Sequence, residues 1–585
     1  MRPAMKRSFP VVLFLLALAC ASAPPKDAAP EHVVLVGTTD VHGWFAGHVE
    51  TPPKGGEGVL WGGLPALAAY VNVLRAENPG RVLVVDSGDM WQGTLESNMF
   101  EGEAMVRAYN DIGYAAAAVG NHEFDFGPVG PDAIARTLGQ DALGAVKRNS
   151  AIADFPFLSA NMVEKSNGRT PPWAKRYTIV RAGKARVGII GLSTPDTPNV
   201  TMAANVVSLQ FTDPVNATVT AAREMRAKGA DAIVVTAHIG GRCTSVHDPN
   251  DLQSCSLNAE AIELLQALPA GTVDAFFAGH THSQMRHYVN GVPAAQGSPY
   301  SREFSTIDLW IDAAAGKVVK SDIRQPTMIC TFVYEGTQHC DPRNAPAGAK
   351  LVPRVFNGVT IANSPQVART IDPFLRRVAA KRDEKVNVTV AQPFARGFGG
   401  ETALGNLIAD ALREFAQSDF AIMNSGGIRS DLPAKELVYA DVFAVSPFDN
   451  FPTIVTMTGA EIIETLRLTT TGPRGIMQVS GLRYTFDAAK DEDKPVAERN
   501  RIVSVTMSDG TPLDPQKLYT VAMPDFLAAG GDNTQDVMSK IPRDRININY
   551  ARAIRDVLVE QWSKRPQPLS PKVEGRITVL NPPAR

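Results

Sequence analysis

Five apolar runs in the first half of this chain each end, within a few residues, in Asp, Asn or His, and no other feature constrains the fold so strongly. Val33-Val34-Leu35-Val36 leads to Asp40 and His42, and Val82-Leu83-Val84-Val85 leads to Asp86 and Asp89. Residues 115–119 lead to Asn121, His122 and Glu123; Ile233-Val234-Val235 leads to His238; Ala275-Phe276-Phe277 leads to His280 and His282. Short β-branched and aromatic runs bounded by Gly and Asp read as strands, and the helical stretches 64–77 and 215–228 between them make an α/β pattern. Side chains at the carboxyl ends of neighbouring strands converge on one crevice, so positions far apart in sequence become one cluster.

Imidazole, carboxylate and an amide oxygen together suit borderline or hard divalent ions, and one carboxylate can bridge two of them. Two such ions about 4 Å apart can clamp a phosphate and lower the pKa of a water. A single D-x-H is better explained by an Asp capping a turn beside a His satisfied by backbone. Here, however, half of the ten histidines fall inside the five runs. The ordered set D-x-H, G-D, G-N-H-E, H and G-H-x-H resembles the calcineurin-like metallophosphoesterases over residues 33–311. That resemblance implies two divalent ions drawn from Zn, Mn or Co. It makes Asp40, His42, Asp89 and His282 ligands of one, and Asp89, Asn121, His238 and His280 ligands of the other. His122 and Asp125 correspond to a dyad that stabilises charge on the transferring phosphoryl group. Where His282 stands, the periplasmic nucleotidases usually carry Gln or Asn. Asp86 reads as a loop-supporting residue, and His247, His287 and His339, outside the motifs, read as surface residues.

At 585 residues the chain exceeds one hydrophobic core, so at least two domains are expected. Polar Pro/Gly sequence at 337–353 interrupts the first pattern, a charged helical segment follows at 366–385, and 403–417 carries an apolar stripe at helical spacing. Asn424-Ser425-Gly426-Gly427-Ile428-Arg429 follows an apolar run, so a Gly turn can bring backbone close to an anion and deliver Arg429 as a bidentate donor. Phe448 with Asn450, and Phe526 with Asp532, each place an aromatic beside turn residues. Together these patches resemble the C-terminal domain of 5′-nucleotidases. The resemblance implies that Phe448 and Phe526 stack a base, that Asn450 and Asp532 contact the nucleoside, and that Asn424, Gly427, Arg429 and Arg396 serve the substrate. Of the family's arginines before the Thr402-Ala403-Leu404-Gly405-Asn406 helix start, only Arg396 is present, at a shifted spacing.

The expected architecture is α/β (α+β): a metallophosphoesterase αββα sandwich at 32–345, a linker and hinge helix at 346–385, and a smaller α/β nucleotide-binding domain at 386–585. A formal net charge of −2, with acids and bases mixed along the chain, gives no surface for a nucleic-acid polymer. Lys6 and Arg7 followed by the apolar run 9–18 read as a signal peptide over 1–19, too short to span a bilayer. Ala17-Leu18-Ala19-Cys20 resembles a bacterial lipobox, with Ala17 where Leu is usual, which implies a lipid on Cys20, a tether over 20–31 and an envelope location; Ala21-Ser22-Ala23 offers a competing cut, disfavoured by the Pro24 that follows it. The remaining cysteines allow three pairings, and short polar loops favour Cys243 with Cys255 and Cys330 with Cys340. The expected activity is dimetal hydrolysis of nucleotide phosphoesters by a monomer. Cyclic-nucleotide phosphodiesterase, sulfur-oxidation thiosulfohydrolase and non-catalytic nucleotide binding are the competing readings.

Overall fold

The computed structural model describes residues 29–582 apart from 54, 131, 136, 138, 472–474 and 550. The expected signal peptide, Cys20 and nearly all of the tether lie outside the described residues. The first domain is built on two sheets. One runs Lys317–Ile323, Glu303–Asp312, Glu31–Thr38, Val82–Asp86, Ala116–Ala118, Phe157–Leu158. The other runs Met285–Val289, Val292–Gln296, Ala275–Phe277, Ala232–His238, Ala185–Ser193, Tyr177–Ala182.

Strand alternation places each side chain. In Glu31–Thr38, Val33 and Leu35 face the other sheet, joining Ile189, Val234 and Phe277 in a buried layer, while Val34 and Val36 face helices on the outer side. The Leu64–Glu77 and Glu103–Ile112 helices cover the first sheet. The Pro214–Ala227 and Glu260–Ala267 helices cover the second. Asp213 starts one of them by accepting from Val215 N and Asn216 N, with Pro214 where a missing N–H costs nothing. The result is the αββα sandwich the sequence predicts. At Gly37 the sheets approach so closely that a Cβ would lie 2.2 Å from the Phe277 ring.

The second domain centres on a mixed five-stranded sheet in the order Met477–Ser480, Phe420–Asn424, Leu518–Pro524, Pro452–Thr458, Ile546–Ile548. The Ala403–Ala416 helix packs on it through Leu404, Leu407, Ile408, Ala411 and Leu412, and Thr402 caps that helix by accepting from Gly405 N at 2.9 Å. Between the domains runs the Pro365–Arg382 helix. Its Val367, Ile371 and Phe374 enter the first domain's core, and Gln366 and Thr370 both donate to Asp111. Cys243 pairs with Cys255 and Cys330 with Cys340. Among the described residues no helix is long and apolar enough to cross a membrane.

Candidate active site

The parallel strands deliver their ligand-type residues to one end of the sandwich. Thr38, Asp86, Ala118, His238 and Phe277 end strands that pair in parallel within their sheets, and the candidate ligands occupy or closely follow those ends. Asp40, His42 and His282 bring one donor atom each within 4.8 Å of one another, and Asp89, His238 and His280 do the same. Asp89 Oδ2 lies 3.7 Å from His42 Nε2 and 3.0 Å from His238 Nε2, so one carboxylate reaches both triads. Asn121 Oδ1 stands 3.0 Å from His238 Nε2. The backbone is left-handed at Asp40, His42, Asp89, His280 and His282, with φ between 49° and 74°.

The donor set fits cations. A backbone carbonyl only accepts, so the contacts of His42 Nδ1 with Gln92 O (2.7 Å) and of His238 Nδ1 with Ser87 O (2.8 Å) place the proton on Nδ1. Each Nε2 is then the nitrogen left to face inward, the orientation in which a carbonyl partner holds a metal-binding histidine. His42 Nε2 stands 2.9 Å from His282 Nε2, and His238 Nε2 3.1 Å from His280 Nδ1; a cation between such nitrogens accounts for their approach. Burial pulls His280 down to about 3, helped by the charge of His238.

Beside this cluster His122 Nδ1 lies 2.5 Å from Asp125 Oδ2, and Thr201 Oγ1 donates to Asp125 Oδ1 at 2.7 Å. His122 Nε2 is 4.0 Å from Asp89 Oδ2 and so faces the cluster. Burial lowers the His122 pKa, but the Asp125 and Asp89 carboxylates more than offset it and hold it above the ordinary value. Asp86 supports the loop: it accepts from Thr38 Oγ1 (2.6 Å), Gly88 N (2.8 Å) and Tyr109 OH (2.9 Å).

The second domain closes over the cluster and leaves a cleft of about 460 Å³ between them. Each of the eight residues read as substrate contacts lines this cleft, as do His122, Asp125 and four of the candidate ligands, while Asp40, His42 and His238 lie beneath it. Arg429 Nη2 approaches His42 Nε2 at 3.3 Å, and its guanidinium stands 5.7 Å from the Phe448 ring centroid. Phe448 lies 5.5 Å, ring to ring, from His122. Asn424 Nδ2 donates to Asp532 Oδ2 at 2.6 Å, and Asn450 Nδ2 to Asp525 Oδ1 at 3.0 Å. Arg396 donates from Nη1 to the Ile428 and Arg429 carbonyls, so it braces the Gly turn as well as lining the cleft. Gly531 lets the Phe526 ring rest on the backbone, where a Cβ would come within 2.3 Å of it.

One sequence expectation is corrected. His287 is buried, with Nε2 3.1 Å from Ser254 Oγ and Nδ1 3.5 Å from Cys255 Sγ, because alternation along Met285–Val289 turns it inward beneath the Cys243–Cys255 loop. His247 is exposed and His339 half-buried. Sequence reasoning also missed several contributors. Glu123 ties two ligand loops together by accepting from Gly120 N, Asp89 N and Met90 N at 2.7–2.8 Å; its place in the G-N-H-E run was the available signal. Arg242, from the first domain, lines the cleft, and nothing in its neighbours announces it.

Comparison with known proteins agrees with this fold. The family model of the calcineurin-like phosphoesterases matches residues 34–284, and that of the 5′-nucleotidase C-terminal domain matches 384–540, together well over half the chain. The chain is 28% identical to cell wall protein Lmo0130 of Listeria monocytogenes over 86% of this chain and 64% of that one. It is 26% identical to a 5′-nucleotidase of Vibrio cholerae over 88% of both. It spans 38% of the length of one curated relative it matches and 64% of another. A 5′-nucleotidase precursor structure from Thermus thermophilus superposes with a TM-score of 0.74 at 24% identity, over 94% of this chain and all of that one, and so shares the fold. The chain therefore belongs to the calcineurin-like phosphoesterases that carry a 5′-nucleotidase C-terminal domain.

Proposed function

We propose that the protein hydrolyses nucleotide phosphoesters, with the phosphoryl group over the first domain's ligand cluster and the nucleoside held by the second domain. The observation that carries this reading is a shared cleft: Asp89, Asn121, His280 and His282 line it from one side, and Arg429, Phe448, Phe526 and Asp532 from the other.

In this reading Asp40, His42, Asp89 and His282 hold one divalent ion, and Asp89, Asn121, His238 and His280 hold a second. Such a pair, when bound, neutralises phosphoryl charge and lowers the pKa of water. The chain's own residues do the rest. His122, oriented by Asp125 at its Nδ1, donates from Nε2 to a phosphoryl oxygen as negative charge builds there. Arg429 supplies a planar guanidinium to the same group, and Arg396 keeps the Gly turn that presents it in place. Phe448 and Phe526 stack the base from two faces, which tolerates many bases, while Asn450 and Asp532 contact the nucleoside. Export and a lipid on Cys20 complete the proposal, placing the activity in the cell envelope, in keeping with a relative named as a cell wall protein.

The test follows the products released from AMP, ATP, UDP-glucose and 2′,3′-cyclic AMP, separated by chromatography, with metal-stripped protein restored with Mn²⁺, Co²⁺ or Zn²⁺. Release from AMP is expected. No release from any of the four overturns the reading, and release confined to the cyclic ester reassigns the substrate.

A further inference from the structure

The loop that carries Phe448 is gripped from beneath by residues outside both matched segments. It spans 446–451, between the Tyr439–Val445 helix and the Pro452–Thr458 strand. At the start of the Ile554–Ser563 helix, Ile554 N donates to the Asn450 carbonyl at 2.9 Å. The next residue, Arg555, donates from Nη1 to the Phe448 carbonyl at 3.1 Å, from Nη2 to the Asp449 carboxylate and from Nε to Tyr439 OH at 3.1 Å. Its guanidinium also lies 4.6 Å from the Phe443 ring centroid. A largely buried guanidinium with donors committed on three sides fixes backbone more firmly than a solvated one can, because no water competes for those donors.

The same network reaches the first domain. Tyr439 OH donates to Asp556 Oδ1 at 3.1 Å, and Lys381 Nζ lies 3.9 Å from the Tyr439 ring centroid. Lys381 belongs to the last turn of the Pro365–Arg382 helix, whose other end is built into the first domain's core. From the first domain directly, Asn98 Nδ2 donates to the Pro447 carbonyl at 3.1 Å.

We propose that Arg555 is a positioning residue for base recognition: it holds the Phe448 loop at its working height above the cleft and, through Tyr439, ties that loop to the end of the interdomain helix. The proposal rests on the reading of Phe448 as a base-stacking residue. Arg555 touches no reacting atom, so removing it disturbs recognition of the nucleoside and spares chemistry on a phosphate ester that lacks one.

The experiment compares the wild-type holoenzyme with Arg555→Met, Arg555→Lys, Phe448→Ala and the Arg555→Met/Phe448→Ala double variant, on AMP and on p-nitrophenyl phosphate. Hydrogen exchange across 446–451 is followed in parallel. Arg555→Met is expected to raise KM for AMP by ~10-fold, the scale of one lost charge-assisted hydrogen bond, with kcat and p-nitrophenyl phosphate turnover little changed. Arg555→Lys, which keeps the charge but not the fork, recovers part of the loss. The double variant shows no more loss than Phe448→Ala alone. Equal loss on both substrates, or additive losses in the double variant, overturns the proposal. Should the wild type show no preference for AMP and Phe448→Ala be silent, the nucleotide reading fails. Exchange then decides the positioning role by itself: faster exchange at 446–451 in Arg555→Met upholds it, and unchanged exchange overturns it.

Discussion

Nη2 of Arg429, on the second domain, lies 3.3 Å from Nε2 of His42, at the foot of the first domain's ligand cluster. The contact puts a fixed positive charge where a phosphoryl group over that cluster would develop negative charge. Arg429→Met is expected to lower kcat/KM for AMP by ~10²-fold, the upper range for a charged hydrogen bond. Metal content, measured by elemental analysis, should stay at the wild-type value. Undiminished kcat/KM would remove Arg429 from the site.

His122 and Asp125 divide the effect differently. His122→Gln keeps a polar group but cannot carry the charge, and turnover should fall by ~10²–10⁴-fold with metal content unchanged. Asp125→Asn leaves the imidazole in place and loosens its orientation, so a smaller loss, about 10-fold, is expected. Single-turnover kinetics on both variants checks the order; a larger loss from Asp125→Asn would contradict it.

Asp525 gives a pH-dependent prediction in stability. Burial lifts its pKa from 3.8 to about 6, against hydrogen bonds from Phe451 N, Asn450 and Phe526 N that favour the carboxylate. As pH rises from about 4 to about 6 the unfolded chain releases this proton first, so the folded state binds more protons and loses stability over that window. Asp525→Asn keeps an acceptor oxygen and removes the titration. Urea midpoints of the variant relative to the wild type should therefore climb between pH 4 and pH 6 and level off above. A difference that does not vary with pH would refute the assignment.

Chelation should destabilise the first domain, because ions bound by the folded cluster and not by the unfolded chain add to stability by mass action. A fall in Tm of roughly 5–10 °C on metal removal is expected. In Asp89→Ala, where the carboxylate reaching both triads is gone, calorimetry should show most of that fall already present without chelator.

The clustering of the first domain's candidate ligands was legible in the sequence because each ends its strand or follows it by a few residues, so local pattern and final position coincide. The stripe Leu404, Leu407, Ile408, Ala411 and Leu412 was legible for the same reason. His287 was misread although Met285, His287 and Val289 alternate inward; an isolated histidine was judged by the motifs around it, not by its strand. The helix at 366–385 looked like a connector because of its charges, yet Val367, Ile371, Phe374 and Val378 recur at helical spacing and are buried. Arg242, Asp525 and Arg555 had no local signature. Their place in or behind the site comes from tertiary approach, Arg555 meeting Phe448 across more than a hundred residues of chain.

The left-handed backbone at Asp40, His42, Asp89, His280 and His282 bears on how freely these positions can drift. Outside glycine, that conformation is accepted chiefly by Asn, Asp and His, and a β-branched residue there costs of order 1–3 kcal/mol in strain. A descendant that abandoned catalysis would still be filtered toward the same few side chains by the curvature of its loops. The chemical alphabet of the cleft is thus inherited twice, once through what the residues hold and once through the shape the chain must take to present them.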